Sequence, residues 1–247
     1  MRFVAFAALN AALFGFASAA NAETAEDDAG FYMAVNIGKA SLSDPTVTYY
    51  DVGGTFGGTG ATDSATATVN TKSATTFGGA VGYDFGTIRP ELEVQYGRHN
   101  IESLTFVALN GSAVTLTPSD RTDVCDYLEA TSCGGSGNTF VIAGSRVRQL
   151  SAMGNVWLDL PIGSGITPYV GGGLGITGFE VDGEGTGKMA WQLGAGAAVK
   201  LTKGVALTVD YRHRSVGAAT VEYDSASGFT ISKLSTNSFT AGLRFTF

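Results

Sequence analysis

The amino-acid sequence predicts an all-β protein, an eight-stranded antiparallel transmembrane β-barrel with long loops at one end. Three observations lead to this prediction: an export segment at the N-terminus, eight segments in which apolar and polar residues alternate, and connections that are alternately short and long. Alternation with a period of two places successive side chains on opposite faces of a strand, so that one face meets lipid and the other the barrel interior.

The first 22 residues have the composition of a signal peptide. A positive charge at Arg2 precedes a mostly apolar stretch, which ends in the small-x-small pattern that signal peptidase reads. We therefore expect cleavage between Ala22 and Glu23. An uncleaved membrane anchor is the alternative, but the stretch is marginal in length and has no charged stop at its far end.

Export divides the chain into three predicted parts, a signal peptide at 1–22, a short periplasmic segment at 23–29 and a β-barrel domain at 30–247. It also excludes a cytoplasmic location. The mature part contains no long apolar window, so the sequence predicts no transmembrane helix.

The last strand shows the clearest alternation. Its apolar face includes the residues that we expect to form an assembly signal: Phe239, Leu243, Phe245 and Phe247. An aromatic residue at a chain end is a poor way to complete a soluble core, because chain ends fray. A terminal phenylalanine on an amphipathic strand resembles the signal by which the barrel assembly machinery recognises outer-membrane proteins. The outer membrane is therefore the expected location.

Seven further segments alternate in the same way. The eight predicted strands cover residues 30–38, 75–85, 91–96, 149–160, 167–176, 190–201, 205–214 and 238–247. Connections after the second, fourth and sixth strands are short, whereas the others are long and cover 39–74, 98–148, 177–189 and 215–237. Short periplasmic turns and long extracellular loops are typical of the outer-membrane type of barrel. A soluble β-sandwich is the alternative, but it has no reason to sort its loops by length.

Two of the long loops have recognisable features. Residues 55–76 of the first loop are rich in Gly, Thr, Ala and Ser and have low complexity. In the second loop, strand-like runs at 103–109 and 113–116 predict that a hairpin extends beyond the membrane. Loops of this length are usually functional or disordered.

Composition limits the partners. The chain has 15 basic and 22 acidic residues, a net charge of −7, which argues against nucleic acid as a partner because phosphates need a basic surface. Glycine occurs 35 times, and glycine within strands is typical of tightly curved sheets in which backbones approach closely.

The two cysteines, Cys125 and Cys133, lie in a polar part of the second loop. In an oxidising compartment this spacing predicts a local disulfide in an external loop. A metal site is the alternative, but it needs more ligands, and no histidine lies beside either cysteine. We expect no metal and no cofactor.

Residues 166–175 and 205–212 closely match strands of OmpA-like and opacity-protein barrels, as does the last strand with its terminal phenylalanine. By its pattern over 30–247, the chain resembles this family, and its surface-antigen branch in particular. The resemblance implies variable, surface-displayed loops, because members of this branch include adhesins and immunodominant antigens.

Several charged residues alternate with the apolar, lipid-facing residues of their strands and are therefore expected to face the barrel interior: Glu91, Glu93, Asp210, Arg212 and Arg244. Paired carboxylates such as Glu91 and Glu93 can carry out acid–base catalysis. However, an eight-stranded barrel is only wide enough inside for its own side chains, and buried charges need partners. We therefore predict structural ion pairs, with Asp210 and Arg244 as cross-strand partners.

The tripeptide His213-Arg214-Ser215 resembles the His-x-Ser pair of outer-membrane lipid A deacylases. A histidine can deprotonate a serine when an acid orients it, but the sequence assigns no such acid here. We favour residues of the barrel rim, without catalysis, over a lipid-modifying enzyme.

Three functional hypotheses remain. The first is a structural protein and surface antigen, with an adhesin-like role through its loops. The second is a narrow, porin-like channel for small solutes, and the third is the lipid-modifying enzyme. The expected partners are outer-membrane lipid, including lipopolysaccharide, the barrel assembly machinery, and host or environmental ligands of the loops.

Overall fold

The computed structural model describes residues 29–53, 62–127, 134–141, 144–160, 165–181 and 184–247. Its strands, in chain order, are β1 Gly30–Leu42, β2 Thr46–Val52, β3 Thr62–Thr71, β4 Ala74–Asp84, β5 Ile88–Leu109, β6 Ser112–Ala113, β7 Thr139–Val141, β8 Arg146–Asp159, β9 Ile166–Val181, β10 Glu184–Thr202, β11 Val205–Val216, β12 Ala219–Glu222, β13 Ser227–Ile231 and β14 Leu234–Thr246. A helix, α1 Pro118–Tyr127, lies between β6 and β7.

No helix in these ranges is long and apolar enough to cross a membrane. The predicted signal peptide with its cleavage site, residues 23–28, and Cys133 lie outside the described residues.

Eight of the strands form a closed ring of antiparallel pairs, in the order β1, β4, β5, β8, β9, β10, β11 and β14. The ring closes between the first and last strands of the chain, where Val35 lies opposite Leu243. Closure satisfies the backbone hydrogen bonds of every strand, as a bilayer requires. The fold class is therefore confirmed, and each of the eight predicted strands is present.

The two faces of the ring differ as the alternation predicts. On the outside, apolar side chains are fully accessible, for example Phe31, Leu92 and Leu174 at 70%, 68% and 66% exposure. Their neighbours along each strand, such as Glu91 and Glu93, are buried inside the barrel. An apolar outer face is stable only against lipid, because a monomeric soluble protein rarely exposes so large an apolar surface.

The long loops contain more structure than the sequence predicts. Strand β5 has 22 residues, about 73 Å at the usual rise, whereas the apolar core of a bilayer is only about 30 Å thick. Its second half leaves β4 and pairs with β3, and β2, β13 and β12 follow in that order. We call these four strands and the second half of β5 the outer sheet.

Two predictions about the loops need correction. The low-complexity stretch at 55–76 is not simply a loop, because its residues 62–71 form β3, where small Ala and Thr side chains fit between the neighbouring strands. The predicted hairpin forms, but its return strand is only β6, which pairs with the end of β5. The polar residues that follow form α1 instead of a longer strand.

Candidate functional site in the barrel lumen

A cluster of charged side chains fills the middle of the lumen. Strand β5 directs Glu91 and Glu93 inward, and β11 does the same with Asp210, Arg212 and Arg214, because alternate residues share a face. All five side chains are buried. We call this group, with the polar side chains that it contacts, the charged cluster.

Glu93 is the centre of the charged cluster. Its carboxylate accepts hydrogen bonds from Arg212 and, at 3.2 Å, from Nη2 of Arg214. Two amides complete its contacts: Asn155 Nδ2 donates at 2.7 Å and Gln192 Nε2 at 3.0 Å. Two positive charges around one carboxylate satisfy it fully, which is what a buried charge requires.

Glu91 and Asp210 bind mainly neutral donors. Tyr32 donates to Glu91 at 3.0 Å, and Trp157 Nε1 donates to it at 3.1 Å. Tyr169 donates to Asp210 at 2.6 Å, and Arg212 Nη2 lies 3.5 Å from the same oxygen. Glu91 and Glu93 are also linked, because Asn155 donates to both. Asn155 and Arg212 therefore join the three carboxylates of the charged cluster into one network.

A second ion pair lies on the periplasmic side of the charged cluster. Arg89 Nε donates to Asp159 at 2.6 Å, and both side chains are buried. The guanidinium carbon of Arg89 also lies 4.9 Å from the centre of the Tyr169 ring and 5.6 Å from that of Tyr32. The cation of this pair is thus also stabilised by two aromatic rings in the lower lumen.

The prediction that Arg244 and Asp210 are cross-strand partners is wrong. In the register of β11 and β14, Asp210 lies opposite Thr240, whereas Arg244 lies opposite Ala206, four residues further along. Arg244 instead lies over the ring of Tyr32, at 5.7 Å, and its Nε and Nη1 atoms have no hydrogen-bond partner. The alternation along β14 correctly predicted that Arg244 faces the lumen, but it could not predict the height of Arg244 in the lumen.

Glycines provide the space for these large side chains. A Cβ atom at Gly171 would lie 2.7 Å from the Trp157 ring, and one at Gly194 would lie 2.9 Å from the same ring. A Cβ atom at Gly173 would lie 2.2 Å from Oδ1 of Asn155. These glycines face inward on β9 and β10, so the glycine content of these strands allows the lumen to be filled by side chains from β8.

An apolar layer covers the charged cluster on the loop side. Its members lie mostly at the loop ends of the barrel strands, and all are buried: Leu42, Val147, Met153, Phe179, Ala190, Val216, Ile231 and Leu234. Three side chains from the outer sheet and the upper part of β5 pack against them: Val47, Ile101 and Phe229. We call this group the apolar layer. Buried polar side chains lie at the same height, among them Gln149 and Thr236, so the upper lumen is filled by apolar and neutral polar groups together.

Sequence reasoning missed four charged lumen residues, namely Asp84, Arg89, Asp159 and Arg214. Residues two apart on a strand share a face, so Arg214 should have been predicted from Arg212, and Arg89 from Glu91. The apolar layer had no such signal, because its members come from many strands and are close together only in the folded barrel.

The His-x-Ser pair is not assembled as a catalytic dyad. The His213 ring is 2.8 Å from Oδ1 of Asn237 and packs against Trp191. The Oγ atom of Ser215 is buried and has no hydrogen-bond partner. In the part of the chain that the structure describes, no hydrogen bond joins His213 to Ser215 and no carboxylate orients the histidine.

The remaining predicted residues lie away from the lumen. Phe239 and Phe247 face outward, at 63% and 75% exposure, while Leu243 and Phe245 lie between them on β14, opposite Val35 and Met33 of β1. Cys125 lies in α1, outside the barrel, and the disulfide to Cys133 stays a prediction.

Comparison with known proteins agrees with this architecture. The sequence model described as "Outer membrane protein beta-barrel domain" matches residues 8–247, which is nearly the whole chain. The chain belongs to this family. It is therefore an outer-membrane β-barrel, and the predicted location in the outer membrane is confirmed. No curated protein matches it.

Solved structures of other barrels resemble its fold. The outer membrane protein OprG from Pseudomonas aeruginosa is 14% identical, with 89% of this chain and 97% of that chain covered and a TM-score of 0.50. Neisserial surface protein A is 16% identical, with 88% and 97% covered and a TM-score of 0.49. The outer membrane protease OmpT from Escherichia coli is 10% identical, with 87% and 97% covered and a TM-score of 0.45. At these identities, the likeness concerns the fold alone.

Proposed function

We propose that this outer-membrane barrel is a structural and interaction protein that acts through its outer sheet, without catalysis and without a solute channel. The observation that carries the proposal is the filled lumen. Its centre is occupied by a network of hydrogen bonds and ion pairs around Glu93, and the apolar layer packs on the loop side of that network.

A porin-like channel is the main alternative. Passage of a polar solute would require the charged cluster to separate and the apolar layer above it to take up water. Both steps are unfavourable, because separated buried charges lose their partners and an apolar constriction excludes water. The filled lumen therefore supports a plugged barrel, the usual state of a ring of eight strands.

The lipid-modifying enzyme is the second alternative. It needs His213 to contact Ser215 and an acid to orient the imidazole. The contact of His213 with Asn237, and the burial of Ser215, support a structural role for both residues at the rim instead.

The outer sheet provides the surface for an interaction. Its described segments and the adjoining loops, at 43–53, 62–73, 99–127, 134–141 and 217–233, contain nine acidic and three basic residues. Exposed apolar side chains occur among them, for example Val52 and Tyr223 at 55% and 57% exposure. An acidic surface with exposed apolar groups favours a partner that carries positive charge. Host or environmental proteins with basic surfaces are therefore the partner class we propose, and the outward face of β14 is the proposed contact for the barrel assembly machinery.

Trimming the outer sheet tests the proposal. A variant in which residues 43–73 and 217–233 are each replaced by a short turn keeps the ring of eight strands. Cells displaying the full or the trimmed barrel are compared for binding to cationic matrix proteins and for uptake of small dyes. We expect binding only with the full barrel and equal dye uptake. Dye uptake that rises with expression of the full barrel would contradict the proposal.

A further inference from the structure

The upper edge of the apolar band carries a pair of like charges on its outward face. On β5 and β8, Tyr96 and Leu150 are the last outward residues of the band, and they lie opposite each other. The next outward residues are Arg98 and Arg148, which also lie opposite each other, and both are exposed. Like charges directly across two strands are destabilising on their own, so this arrangement indicates a compensating anion.

The acidic residues of the protein compensate only part of this charge. Arg148 Nη1 donates to Glu180 on β9 at 2.8 Å. Arg146 lies two residues along the same outward face of β8 and is also exposed. In the described part of the chain, no ion pair involves Arg98 or Arg146. Three guanidinium groups therefore share one carboxylate. We call Arg98, Arg146 and Arg148 the arginine cluster.

A cleft lies directly above the arginine cluster, at the point where β5 leaves β8 and pairs with β7. Its volume is about 590 Å³, and both polar and apolar residues line it, among them Lys72, Asn100, Glu102, Ser145, Arg146 and Val141. This volume is large enough for a phosphorylated sugar, and small-molecule sites in proteins are commonly of this size. Because Lys72 is paired with Glu102 at 3.1 Å, the cleft adds hydroxyl and amide groups beside the arginine cluster but no net charge.

The location of the arginine cluster is unusual for this chain. The net charge of the protein is −7, and the outer sheet beyond the cluster is strongly acidic. The cations are collected just above the lipid-facing residues, at the height of the lipid headgroups. Arginine matches the oxygens of phosphate with a fixed fork of donors, and interfacial cations bind anionic headgroups.

From this geometry we propose that the arginine cluster and the cleft above it bind a phosphate group, with its sugar, of the phosphorylated glycolipid in the outer leaflet. Arg98 and Arg148 hold the phosphate between β5 and β8, and the cleft receives the sugar. The proposal rests on the outer-membrane location and is independent of whether the outer sheet binds a protein.

Native mass spectrometry of the detergent-solubilised barrel tests the proposal, with diphosphoryl lipid A and fully dephosphorylated lipid A as probes. We expect the wild type to retain the phosphorylated lipid at least about tenfold better, since charge-assisted hydrogen bonds to phosphate are lost with the second probe. This comparison uses the natural protein and needs no variant. Equal retention of the two lipids would overturn the proposal.

Variants then locate the site. The double change Arg98→Gln and Arg148→Gln should lower retention of diphosphoryl lipid A to that of the dephosphorylated lipid. Arg98→Lys with Arg148→Lys should restore part of it. Lys203→Gln, which removes one positive charge from the short turn at the opposite rim, is the control and should change nothing. Retention that falls equally in the Lys203 variant, or not at all in the double arginine variant, would contradict the assignment.

Discussion

The lumen and the outer sheet of this barrel use charge in opposite ways. Inside, four arginines lie among five carboxylates: Arg89, Arg212, Arg214 and Arg244 with Asp84, Glu91, Glu93, Asp159 and Asp210. Outside, the described part of the outer sheet and its loops has nine acidic and three basic residues. Buried charges must be nearly balanced to be stable, whereas exposed charges need no partner. This difference supports the proposal that the lumen is structural and that the outer sheet binds the partner.

Removal of Glu93 tests this contrast with the largest expected effect. Glu93→Ala leaves Arg212 and Arg214 buried without their shared carboxylate, which should lower the free energy of unfolding by about 3–5 kcal/mol. Urea unfolding in lipid vesicles measures the change. Glu102→Ala is the control, because Glu102 pairs with Lys72 at the exposed surface and should cost less than about 1 kcal/mol. Equal losses in the two variants would contradict the contrast.

The apolar layer should show the next largest effect. Leu234→Ala removes a buried side chain and should cost about 2–3 kcal/mol, the lower part of the range for a buried leucine, because the layer borders the loops. Leu174→Ala removes the same atoms from a position that faces lipid. We expect the second change to cost clearly less in the same unfolding experiment. If the two costs are alike, the layer is not packed as a core.

The sequence predicted the ring well and the contents of the lumen less well. Period-two alternation identifies a strand and its two faces. It therefore predicted all eight strands and the inward orientation of Glu93 and Arg212. Alternation does not show which residues of neighbouring strands lie opposite each other. For this reason the predicted partner of Asp210, Arg244, was wrong. The outer sheet was missed because β3 consists of small Ala and Thr side chains without a strong apolar face, and β12 and β13 are only four and five residues long.

The predicted disulfide should affect the loop and leave the barrel unchanged. Replacing Cys125 and Cys133 by serine should preserve the heat-dependent shift in gel mobility, because Cys125 lies in α1, away from the ring. Protease should cut the variant faster within residues 118–133, since a short crosslink restrains the chain locally. Mass spectrometry of the unreduced wild type should find two hydrogens fewer than the free dithiol. Two free thiols would contradict the prediction.

The smallest expected effect concerns an exposed turn of the outer sheet. The N–H groups of Ala226 and Ser227 donate to Asp224, which lowers the pKa of its carboxyl group. A lowered pKa means that the charged form stabilises the turn, and that this contribution is lost as the pH falls through the pKa of the folded state. A carboxyl ¹³C titration should give Asp224 a pKa below the value of about 3.9 for an unstructured peptide. A value at or above that of the peptide would show that the turn does not hold the carboxylate.

Planar-bilayer conductance of the wild-type barrel tests the central claim most directly, because it asks whether the charged cluster and the apolar layer close the lumen. The account predicts no stable channels. It also predicts that currents rise in a double variant that lacks both Glu93 and Leu234, in which both levels of the filling are weakened. Large, stable channels in the wild type would contradict the account and identify the protein as a porin-like channel.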